Sequence, residues 1–375
     1  MNEMIPNQDR SFDLNEVKLK LPTPLVAKLE HSITLLQKAE HLALQYDPAE
    51  GFFCAFSGGK DSQALYHVAK LAGVKFKPHF SPTTVDPPEL LRFIRKHYPD
   101  CEFEKPKRSI FTSAVARRIL PTMRVRWCCE EFKESAGAGK VTLIGIRHEE
   151  SVRRAKRNEV EINSHRFSGT LEQLDIYRKE NAENEEKPHK GRPRKGQKFS
   201  IVTASGERTL GCINGKESLL ISPIIDWTTR DVWTFLNTLG VEHCSLYDEG
   251  WHRIGCILCP MSSPKHKVKE MARWPHVKKK WIEAIKAIRR EKGIQKRIYL
   301  VERQDTRHAD SRTNSTKRTN YGLWTGFSDG SSSDRLNDEQ ENEIAENIFD
   351  WWISGKAYKK WFADKFTQQK LNFKD

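Results

Sequence analysis

A run of apolar residues, Phe52–Phe56, leads directly into the segment SGGKDS at residues 57–62. The apolar run predicts a buried strand, and apolar residues at helical spacing after the segment predict a helix over residues 61–72. Backbone amides around the two glycines, with the free N–H groups at the start of that helix, form a positive concavity suited to a phosphate. The GxxxxGK[ST] spacing of a Walker A loop does not occur here, so the segment predicts a different type of phosphate loop.

Strands and helices alternate along the chain around this loop. Further strands are predicted at residues 74–80 and 140–146, and further helices at residues 23–46, 88–97 and 229–239. This alternation predicts an α/β fold with an open, mostly parallel sheet and helices on both faces, which is Rossmann-like. In such a sheet ligands bind at the carboxyl ends of the strands, which is where the SGGKDS segment is expected to lie.

The chain is predicted to divide into three parts. An N-terminal helical segment covers residues 1–48, and a nucleotide-binding domain covers residues 49–262, with a polar insertion at about 179–200. Residues 263–375 are predicted to form a helical, basic C-terminal region. The insertion contains almost no apolar residue, so it cannot bury a core of its own.

The chain carries 64 lysines and arginines against 50 aspartates and glutamates, which gives a net charge of +14. This excess favours a polyanionic partner, nucleic acid before a membrane surface, or a basic enzyme that acts on nucleotides. No segment approaches the roughly 20 apolar residues of a membrane span, and the N-terminus lacks the apolar core of a signal peptide. We therefore expect a cytoplasmic protein without a membrane partner, whose eight cysteines are thiols or metal ligands rather than disulfides.

Several motifs, in this order, resemble those of a known family. SGGKDS after a buried strand resembles the PP-loop of the N-type ATP pyrophosphatases. Residues 83–89 (TTVDPPE), 145–151 (GIRHEES) and 246–250 (LYDEG) are similar to motifs of the phosphoadenosine phosphosulfate (PAPS) reductase family within that superfamily. The resemblance implies an adenine nucleotide alpha hydrolase-like fold that binds an adenine nucleotide. The PP-loop resemblance implies cleavage of ATP between the α- and β-phosphates, with transfer of AMP to an oxygen.

The resemblance also implies a nucleotide site built from the loop and from residues that follow two other strands. Its predicted members are Ser57, Gly58, Gly59, Lys60, Asp61, Ser62, Asp86, Arg147 and Arg154. Lys60, Asp61 and Arg147 are predicted to be catalytic, with the two cations stabilising charge on phosphates that Mg²⁺ bridges. Asp86 either holds magnesium or a ribose hydroxyl, or forms the turn before Pro87. Both arginines follow the carboxyl end of a predicted strand, which favours phosphate contact over a solvated surface charge.

Four cysteines form a second candidate site: Cys128, Cys129, Cys256 and Cys259. Four thiolates satisfy either tetrahedral zinc or a [4Fe–4S] cluster, and adjacent cysteines fit two irons of a cubane more easily than one zinc ion. The pattern resembles the [4Fe–4S] site of adenylylsulfate reductases and of the adenylating component of DNA phosphorothioation systems. The prediction is an iron–sulfur cluster, with zinc and free or redox-active thiols as the alternatives.

Two basic segments are candidates for contact with DNA or RNA. The sequence KGRPRKG resembles the core of an AT-hook, in which Arg192, Arg194 and Lys195 would enter the minor groove. A solvated loop is the alternative for this segment. Lys279 and Lys280 lie in a basic helical run that either contacts phosphates or forms only the outer face of a helix packed through apolar residues.

The position of the last cysteine separates the candidate reactions. Sulfonucleotide reductases use a nucleophilic cysteine in a Glu-Cys-Gly-type motif near the C-terminus, whereas no cysteine follows Cys259 here. The prediction is therefore an ATP pyrophosphatase or adenylyltransferase in sulfur transfer that activates an oxygen of nucleic acid, with a cysteine desulfurase as sulfur donor. The alternatives are a sulfonucleotide reductase with an unrecognised or partner-supplied thiol, and a nucleotide-sensing DNA-binding protein without turnover.

Overall fold

The computed structural model describes most of the chain, and the structural statements below apply to the described residues. These are residues 6–134, 136–163, 168–169, 199–203, 206–210, 218–291, 337–356 and 360–361. The chain divides into two compact units, the first formed by Met1–Pro106 with Cys129–Gly255 and the second by Lys107–Cys128 with Cys256–Asp375. The three-part division expected from the sequence stays a prediction.

Helices precede the first strand, and the two types of element then alternate. The helices are α1 (Leu14–Lys20), α2 (Thr23–Tyr46), α3 (Lys60–Ala72), α4 (Pro88–His97), α5 (Ile110–Arg117), α6 (Thr229–Leu239), α7 (Pro264–Arg273), α8 (Pro275–Glu291) and α9 (Asp338–Ser354). The strands are β1 (Phe52–Ala55), β2 (Phe76–Phe80), β3 (Glu102–Phe103), β4 (Val141–Leu143), β5 (Val160–Asn163), β6 (Ser168–Gly169), β7 (Phe199–Thr203), β8 (Gly206–Leu210) and β9 (Ser218–Ile221). Single helical turns lie at Asn7–Asp9, Trp127–Cys129, Glu130–Glu134, His148–Glu150 and Arg154–Lys156.

The first unit is built around a seven-stranded sheet with the order β3-β2-β1-β4-β9-β5-β6. β1 pairs in parallel with β2 and β4, and parallel pairing continues from β2 to β3 and from β4 to β9. β5 is antiparallel to β9, and β6 is antiparallel to β5, while β7 and β8 form a separate hairpin. The predicted α/β fold with an open, mostly parallel sheet is confirmed, and the antiparallel edge is a feature that the sequence patterns did not indicate.

One hydrophobic core contains residues of α2, α3 and α6 together with residues of the central strands. Leu29 and Leu36 of α2 and Leu65 of α3 are fully buried, as their helical spacing predicts. Phe52 and Cys54 of β1 join the same core because alternate residues of a strand face one side of a sheet. Burial of each large apolar side chain contributes about 1.5–3 kcal/mol, so the helices and the sheet stabilise one another.

Two helix ends follow directly from sequence signals. Gly73 ends α3 in the left-handed conformation (φ 69°), and the hydroxyl of Thr228 caps α6 by accepting a hydrogen bond from the amide of Asp231 at 3.1 Å. The strand predicted over 140–146 is shorter than expected, because β4 ends at Leu143 and the chain then leaves the sheet. β2 likewise begins two residues later than the apolar pattern predicts.

Helices α5, α8 and α9 of the second unit pack through aromatic side chains, and α7 contacts α8 and α9. The rings of Phe111 and Trp281 have centroids 4.9 Å apart, and those of Trp281 and Trp352 are 4.8 Å apart. The indole N–H of Trp352 donates a hydrogen bond to the carbonyl of Pro121 at 2.6 Å. Trp281 and Ile285 of α8 are buried, as predicted for the inner face of this basic helix. Every helix in the described part of the chain is too short or too polar to cross a bilayer.

Candidate active site

The order of the strands reverses beside β1, and this reversal locates the candidate site. β2 and β3 lie on one side of β1, whereas β4 and β9 lie on the other, so the ends of β1 and β4 flank a topological switch point. Because β1 and β4 are parallel, the segments that follow them leave the sheet at the same edge. These segments are the glycine loop at residues 57–59 and the stretch from Ile144 to Arg147. Two of the predicted motifs therefore meet where α/β sheets bind ligands.

Gly58 allows the turn of the loop. Its φ is +69°, and a Cβ atom at this position would lie 2.7–2.8 Å from side-chain atoms of Ile94. Both the backbone conformation and the available space therefore require glycine. Behind the turn, Ser57 donates a hydrogen bond to the hydroxyl of Ser62 at 3.1 Å, and Ser62 donates to the carbonyl of Gly59 at 2.9 Å. The two predicted serines thus hold the loop against the first turn of α3.

The three predicted catalytic residues meet in one chain of ion pairs. Asp61 binds the ammonium of Lys60 with one carboxylate oxygen and Nε of Arg147 with the other, each at 2.8 Å. Lys60 is 7% exposed and Arg147 is 2% exposed, so both positive charges lie largely out of water. Removing one partner from a buried ion pair leaves an uncompensated charge, which is strongly destabilising. We therefore expect these residues to respond to substitution as a unit.

The guanidinium of Arg147 makes further contacts beyond Asp61. It donates hydrogen bonds to Glu149 at 2.9 Å, to the carbonyl of Trp227 at 3.1 Å and to the hydroxyl of Thr229 at 3.2 Å. Glu149 accepts hydrogen bonds from the amide and hydroxyl of Thr229, and these, together with Arg147, hold the pKa of Glu149 below its usual value. Arg147 therefore links Asp61 to the start of α6, and a phosphate contact by the same side chain stays a prediction.

Gly145 allows the two loops to approach each other closely. A Cβ atom on Gly145 would lie 3.1 Å from the carbonyl oxygen of Asp61 and 3.4 Å from the amide nitrogen of Ser62. A backbone carbonyl at 3.1 Å has little freedom to move away, so a larger residue would push the exit of β4 away from α3. The absence of a side chain here is what brings Arg147 within ion-pair distance of Asp61.

Tyr247 is a site residue to which the sequence analysis assigned no role. Its hydroxyl oxygen accepts a hydrogen bond from the backbone N–H of Lys60 at 2.9 Å. Burial raises the pKa of Tyr247, so the side chain stays a neutral phenol. The sequence analysis expected this N–H to be part of the anion-binding concavity, and the phenol oxygen lies where a phosphate oxygen would accept from it. The LYDEG motif was the available signal, but nothing in its spacing indicated a partner 187 residues away.

Asp86 and Arg154 are each held by a local partner. Asp86 accepts hydrogen bonds from the amide of Thr83 at 2.6 Å and from its hydroxyl at 2.9 Å, and burial raises the pKa of Asp86. These contacts are those of the turn-forming alternative, and binding of magnesium or ribose by Asp86 stays a prediction. Arg154 forms an ion pair with Glu150, whose other oxygen accepts a hydrogen bond from the amide of Arg147 at 3.0 Å.

The Cys-x-x-Cys segment of the second unit forms a tight turn that a buried carboxylate of α7 holds in place. The amide of Cys259 donates a hydrogen bond to the carbonyl of Cys256 at 3.2 Å, and Leu258 between them has a φ of +58°. The amide of Leu258 donates to the carboxylate of Glu270 at 2.9 Å, and burial raises the pKa of Glu270 to about 7. Lys267 is buried one turn earlier on α7, and its ammonium donates hydrogen bonds to backbone carbonyls.

The four predicted cysteine ligands are divided between the two units. Cys128, Cys256 and Cys259 belong to the second unit, and Cys129 belongs to the first. All four are partly exposed, and no described cysteine forms a disulfide. Four reduced, accessible thiols are a donor set that fits either a cluster or a zinc ion. Whether these thiols hold a cluster, hold zinc or stay free or redox-active is untested, and the cluster stays a prediction.

The family of the chain follows from a comparison with known protein families. The profile of the phosphoadenosine phosphosulfate reductase domain matches residues 51–262. The chain belongs to this family. The matched range begins just before β1 and ends just after Cys259, so it includes the glycine loop, the ion-pair chain and Tyr247. Membership confirms the predicted family.

Individual relatives share limited sequence identity with this PAPS reductase-family chain. An uncharacterised protein of Methanocaldococcus jannaschii is 24% identical over 299 residues, which cover 76% of this chain and 60% of that protein. Adenosine 5'-phosphosulfate reductase 2 of Bacillus subtilis is 34% identical over 58 residues, which cover 16% of this chain and 25% of that protein. The chain thus spans less than two thirds of the length of these relatives.

Solved structures with a similar fold show low sequence identity. Candida glabrata FMN adenylyltransferase in complex with FAD and inorganic pyrophosphate is 12% identical with a TM-score of 0.39, over 65% of this chain and 69% of that chain. The PAPS reductase of Candida auris in a phosphate complex is 15% identical with a TM-score of 0.29, over 60% of this chain and 93% of that chain.

The predicted nucleic-acid contacts lie at two positions. Arg192, Arg194 and Lys195 fall outside the described residues. Lys279 and Lys280 are exposed on α8, next to the buried side chain of Trp281. Both alternatives for this helix, phosphate contact and a plain outer face, require lysines exposed in this way.

Proposed function

We propose that this PAPS reductase-family chain is an ATP pyrophosphatase or adenylyltransferase that cleaves ATP between the α- and β-phosphates during sulfur transfer. The observation that carries the proposal is the chain of ion pairs Lys60–Asp61–Arg147 beneath the glycine loop at the switch point. A polyanion at this loop meets backbone amides, the start of α3 and a lysine ammonium within one short segment.

The ion pairs suggest how Lys60 becomes available to a phosphate. At rest, Asp61 neutralises the Lys60 ammonium at 2.8 Å. When a phosphate approaches the loop, the ammonium turns toward it, and Asp61 keeps a second cation because Arg147 stays at 2.8 Å on the other oxygen. The carboxylate is thus never left without a partner, which lowers the cost of moving a largely buried charge. Lys60 then stabilises negative charge that grows on the leaving pyrophosphate.

Magnesium would need a carboxylate ligand at this site. Mg²⁺ is held by one or two carboxylates together with phosphate oxygens and waters, and it would lower the charge repulsion among the phosphates. Asp86 is the carboxylate that we propose for this role, since a carboxylate that accepts two hydrogen bonds from Thr83 and one from the amide of Thr84 retains a free lone pair. Asp61 is less suited because each of its oxygens already binds a cation.

We propose a [4Fe–4S] cluster on Cys128, Cys129, Cys256 and Cys259. Support comes from the chemistry of the donors and from the preformed Cys256–Cys259 turn, which α7 holds through Glu270. A bound cluster would supply a compact, negatively charged group, and the buried Lys267 provides a positive charge close to Cys259. Protein purified without oxygen should show broad visible absorption and acid-labile sulfide. A Cys256→Ser variant that kept the full sulfide content would exclude this cysteine as a ligand.

The proposed acceptor of the AMP group is an oxygen of nucleic acid, with a cysteine desulfurase as the sulfur donor. The net charge of +14 and the exposed Lys279 and Lys280 support a polyanionic partner. Contact with phosphates predicts that affinity for DNA falls steeply as salt concentration rises. Replacing both lysines by glutamine should reduce that salt dependence, whereas replacing the exposed Lys38 on α2 should not.

A second candidate, a sulfonucleotide reductase, is favoured by the similarity to the Bacillus subtilis adenosine 5'-phosphosulfate reductase 2. It requires a nucleophilic thiol, and residues 260–375 contain no cysteine, so a partner or an earlier cysteine would supply it. One pair of assays distinguishes the candidates. Release of pyrophosphate from ATP, measured with and without DNA, supports the adenylating enzyme. Release of sulfite from a sulfonucleotide with thioredoxin supports the reductase. If neither product is formed, the nucleotide-sensing protein is the remaining candidate.

A further inference from the structure

We infer that Glu50, His79 and Glu102 bind a divalent first-row cation at a site that is separate from both the nucleotide loop and the cysteines. One ligand atom from each of these side chains lies within 4.8 Å of the others. The three residues come from distant parts of the sequence: Glu50 precedes β1, His79 lies in β2 and Glu102 begins β3. All three belong to the first unit.

The imidazole of His79 is oriented like a metal ligand. Its Nδ1 lies 2.9 Å from a carboxylate oxygen of Glu104, so the proton on this nitrogen is directed to Glu104. Phe53 stacks on the ring at 4.1 Å between centroids and 14° between planes, which fixes the ring orientation. A carboxylate on the second nitrogen is the usual partner of a metal-binding histidine, because it leaves the other nitrogen with its lone pair free.

The other nitrogen of His79 has no hydrogen-bond partner. His79 is 5% exposed, and its Nε2 is a buried polar atom without a partner among the described residues. The nearest carboxylate oxygen of Glu50 is 3.6 Å away, which is too long for a hydrogen bond. Leaving a buried polar atom unpaired is unfavourable, so this nitrogen is expected to have a partner in solution. A cation between Nε2 and the two carboxylates would provide it.

The carboxylates occupy suitable positions around this nitrogen. Glu102 is the register partner of His79 across β2 and β3, so the two side chains project from the same face of the sheet. Glu50 lies 3.1 Å from the ammonium of Lys140, which also pairs with Asp47 at 3.0 Å. Lys140 therefore neutralises charge beside Glu50, but Glu102 and the Glu104 partner of His79 bring further negative charge. A divalent cation would offset it.

The donor set indicates the class of cation and its role. One imidazole nitrogen with two carboxylates suits Zn²⁺, Mn²⁺ or Fe²⁺, whereas thiolate sites select softer ions. β3 has only two residues and lies at the edge of the sheet, so few backbone hydrogen bonds hold it. A cation bound by Glu102 and His79 would join this strand to β2, and by Glu50 to the start of β1. The proposed role is therefore structural.

The test uses Mn²⁺ alone, added to nucleotide-free full-length protein, with free Mn²⁺ measured from its electron paramagnetic resonance signal. Mn²⁺ is chosen because carboxylates bind it well and thiolates do not, which separates this site from the cysteines. The unmodified protein should bind one Mn²⁺ that a Glu102→Gln variant loses. A Glu104→Gln variant, which changes the partner of Nδ1 and removes one neighbouring negative charge but no proposed ligand, should bind about 10–100-fold more weakly.

A matched control uses another histidine–carboxylate pair of the first unit. Nε2 of His31 lies 2.7 Å from Glu159, with no third ligand group nearby among the described residues, so His31→Gln should leave Mn²⁺ binding unchanged. Because Glu102 is exposed, its replacement should not unfold the protein, and circular dichroism checks this. Equal binding by the unmodified protein and Glu102→Gln, or no binding by either, would overturn the proposal. His79 would then lie between carboxylates without a metal ion.

Discussion

At the glycine loop Asp61 lies between two cations, whereas around His79 the carboxylates of Glu50, Glu102 and Glu104 surround one imidazole. In the loop every charge of the Lys60–Asp61–Arg147 chain has a partner before any ligand binds. In the His79 cluster Nε2 has no partner among the described residues. The difference suggests that the first site binds its ligand by exchanging one ion pair for another. The second site would bind a cation because a positive charge is missing.

The largest effect is expected from Lys60→Ala. This variant removes the ammonium that, in the proposed mechanism, turns from Asp61 to the phosphate. The rate of pyrophosphate release from ATP should fall by about 10²–10³-fold, as when one strong donor to a developing negative charge is removed. Lys38→Ala, which removes an exposed lysine of α2, is the control and should be unchanged. Turnover by Lys60→Ala at the rate of the unmodified protein would remove the ion-pair exchange from the mechanism.

The next effect concerns the shape of the loop. Gly58→Ala should lower the free energy of unfolding by about 2–4 kcal/mol, since it adds a left-handed backbone cost and an overlap with Ile94. Gly73→Ala has the same φ of +69° but nothing within 4 Å of the new Cβ, so it should cost only about 1–2 kcal/mol. Chemical denaturation of both variants measures the difference. Equal losses would show that Ile94 does not restrict the loop.

Tyr247→Phe is expected to have a smaller effect, in which the stability falls and the affinity for pyrophosphate rises. The variant removes the acceptor of the Lys60 N–H, which should lower the free energy of unfolding by about 0.5–1.5 kcal/mol. The freed N–H should then bind a phosphate, so affinity for pyrophosphate should rise by up to about tenfold.

Tyr66→Phe provides the comparison for Tyr247→Phe, because it removes a hydroxyl that donates to Asp100 at 2.8 Å instead. It should lower stability without changing the affinity for pyrophosphate. Weaker binding of pyrophosphate by Tyr247→Phe would mean that the phenol contacts the ligand rather than competing with it.

The smallest effect tests the uncompensated charge of the His79 cluster. With a chelator present, Glu102→Gln should raise the free energy of unfolding by a few tenths of a kcal/mol, since it removes one of several neighbouring negative charges at an exposed position. With Mn²⁺ present the sign should reverse, because the unmodified protein gains a ligand-binding contribution that the variant lacks. Denaturation under both conditions measures this change. A rise in both conditions would contradict cation binding, and a fall in both would contradict the charge imbalance.

The sequence predicted the local structure of the glycine loop well because its parts are contiguous. SGGKDS follows an apolar strand, and the proximity of Asp61 and Arg147 follows from their positions after β1 and β4 in a parallel sheet. The number of contacts that Arg147 makes was not predictable, since Glu149, Trp227 and Thr229 reach it only after α6 has packed.

Tyr247 and the His79 cluster could not be found from sequence patterns. Tyr247 reaches the Lys60 amide across 187 residues, and no periodicity or spacing encodes that distance. Glu50, His79 and Glu102 are isolated residues in three segments, and only the register of β2 and β3 places two of them side by side. Sequence patterns predict sites whose residues are contiguous or lie at the ends of adjacent strands. The other sites form only when distant segments pack together.

The most direct test of the central claim is the identity of the products that the protein forms from ATP labelled at the α-phosphate. Cleavage between the α- and β-phosphates predicts labelled AMP, free or bound to an acceptor, and one pyrophosphate for each AMP. Labelled ADP with orthophosphate would contradict the account, because it would place the cleavage between the β- and γ-phosphates.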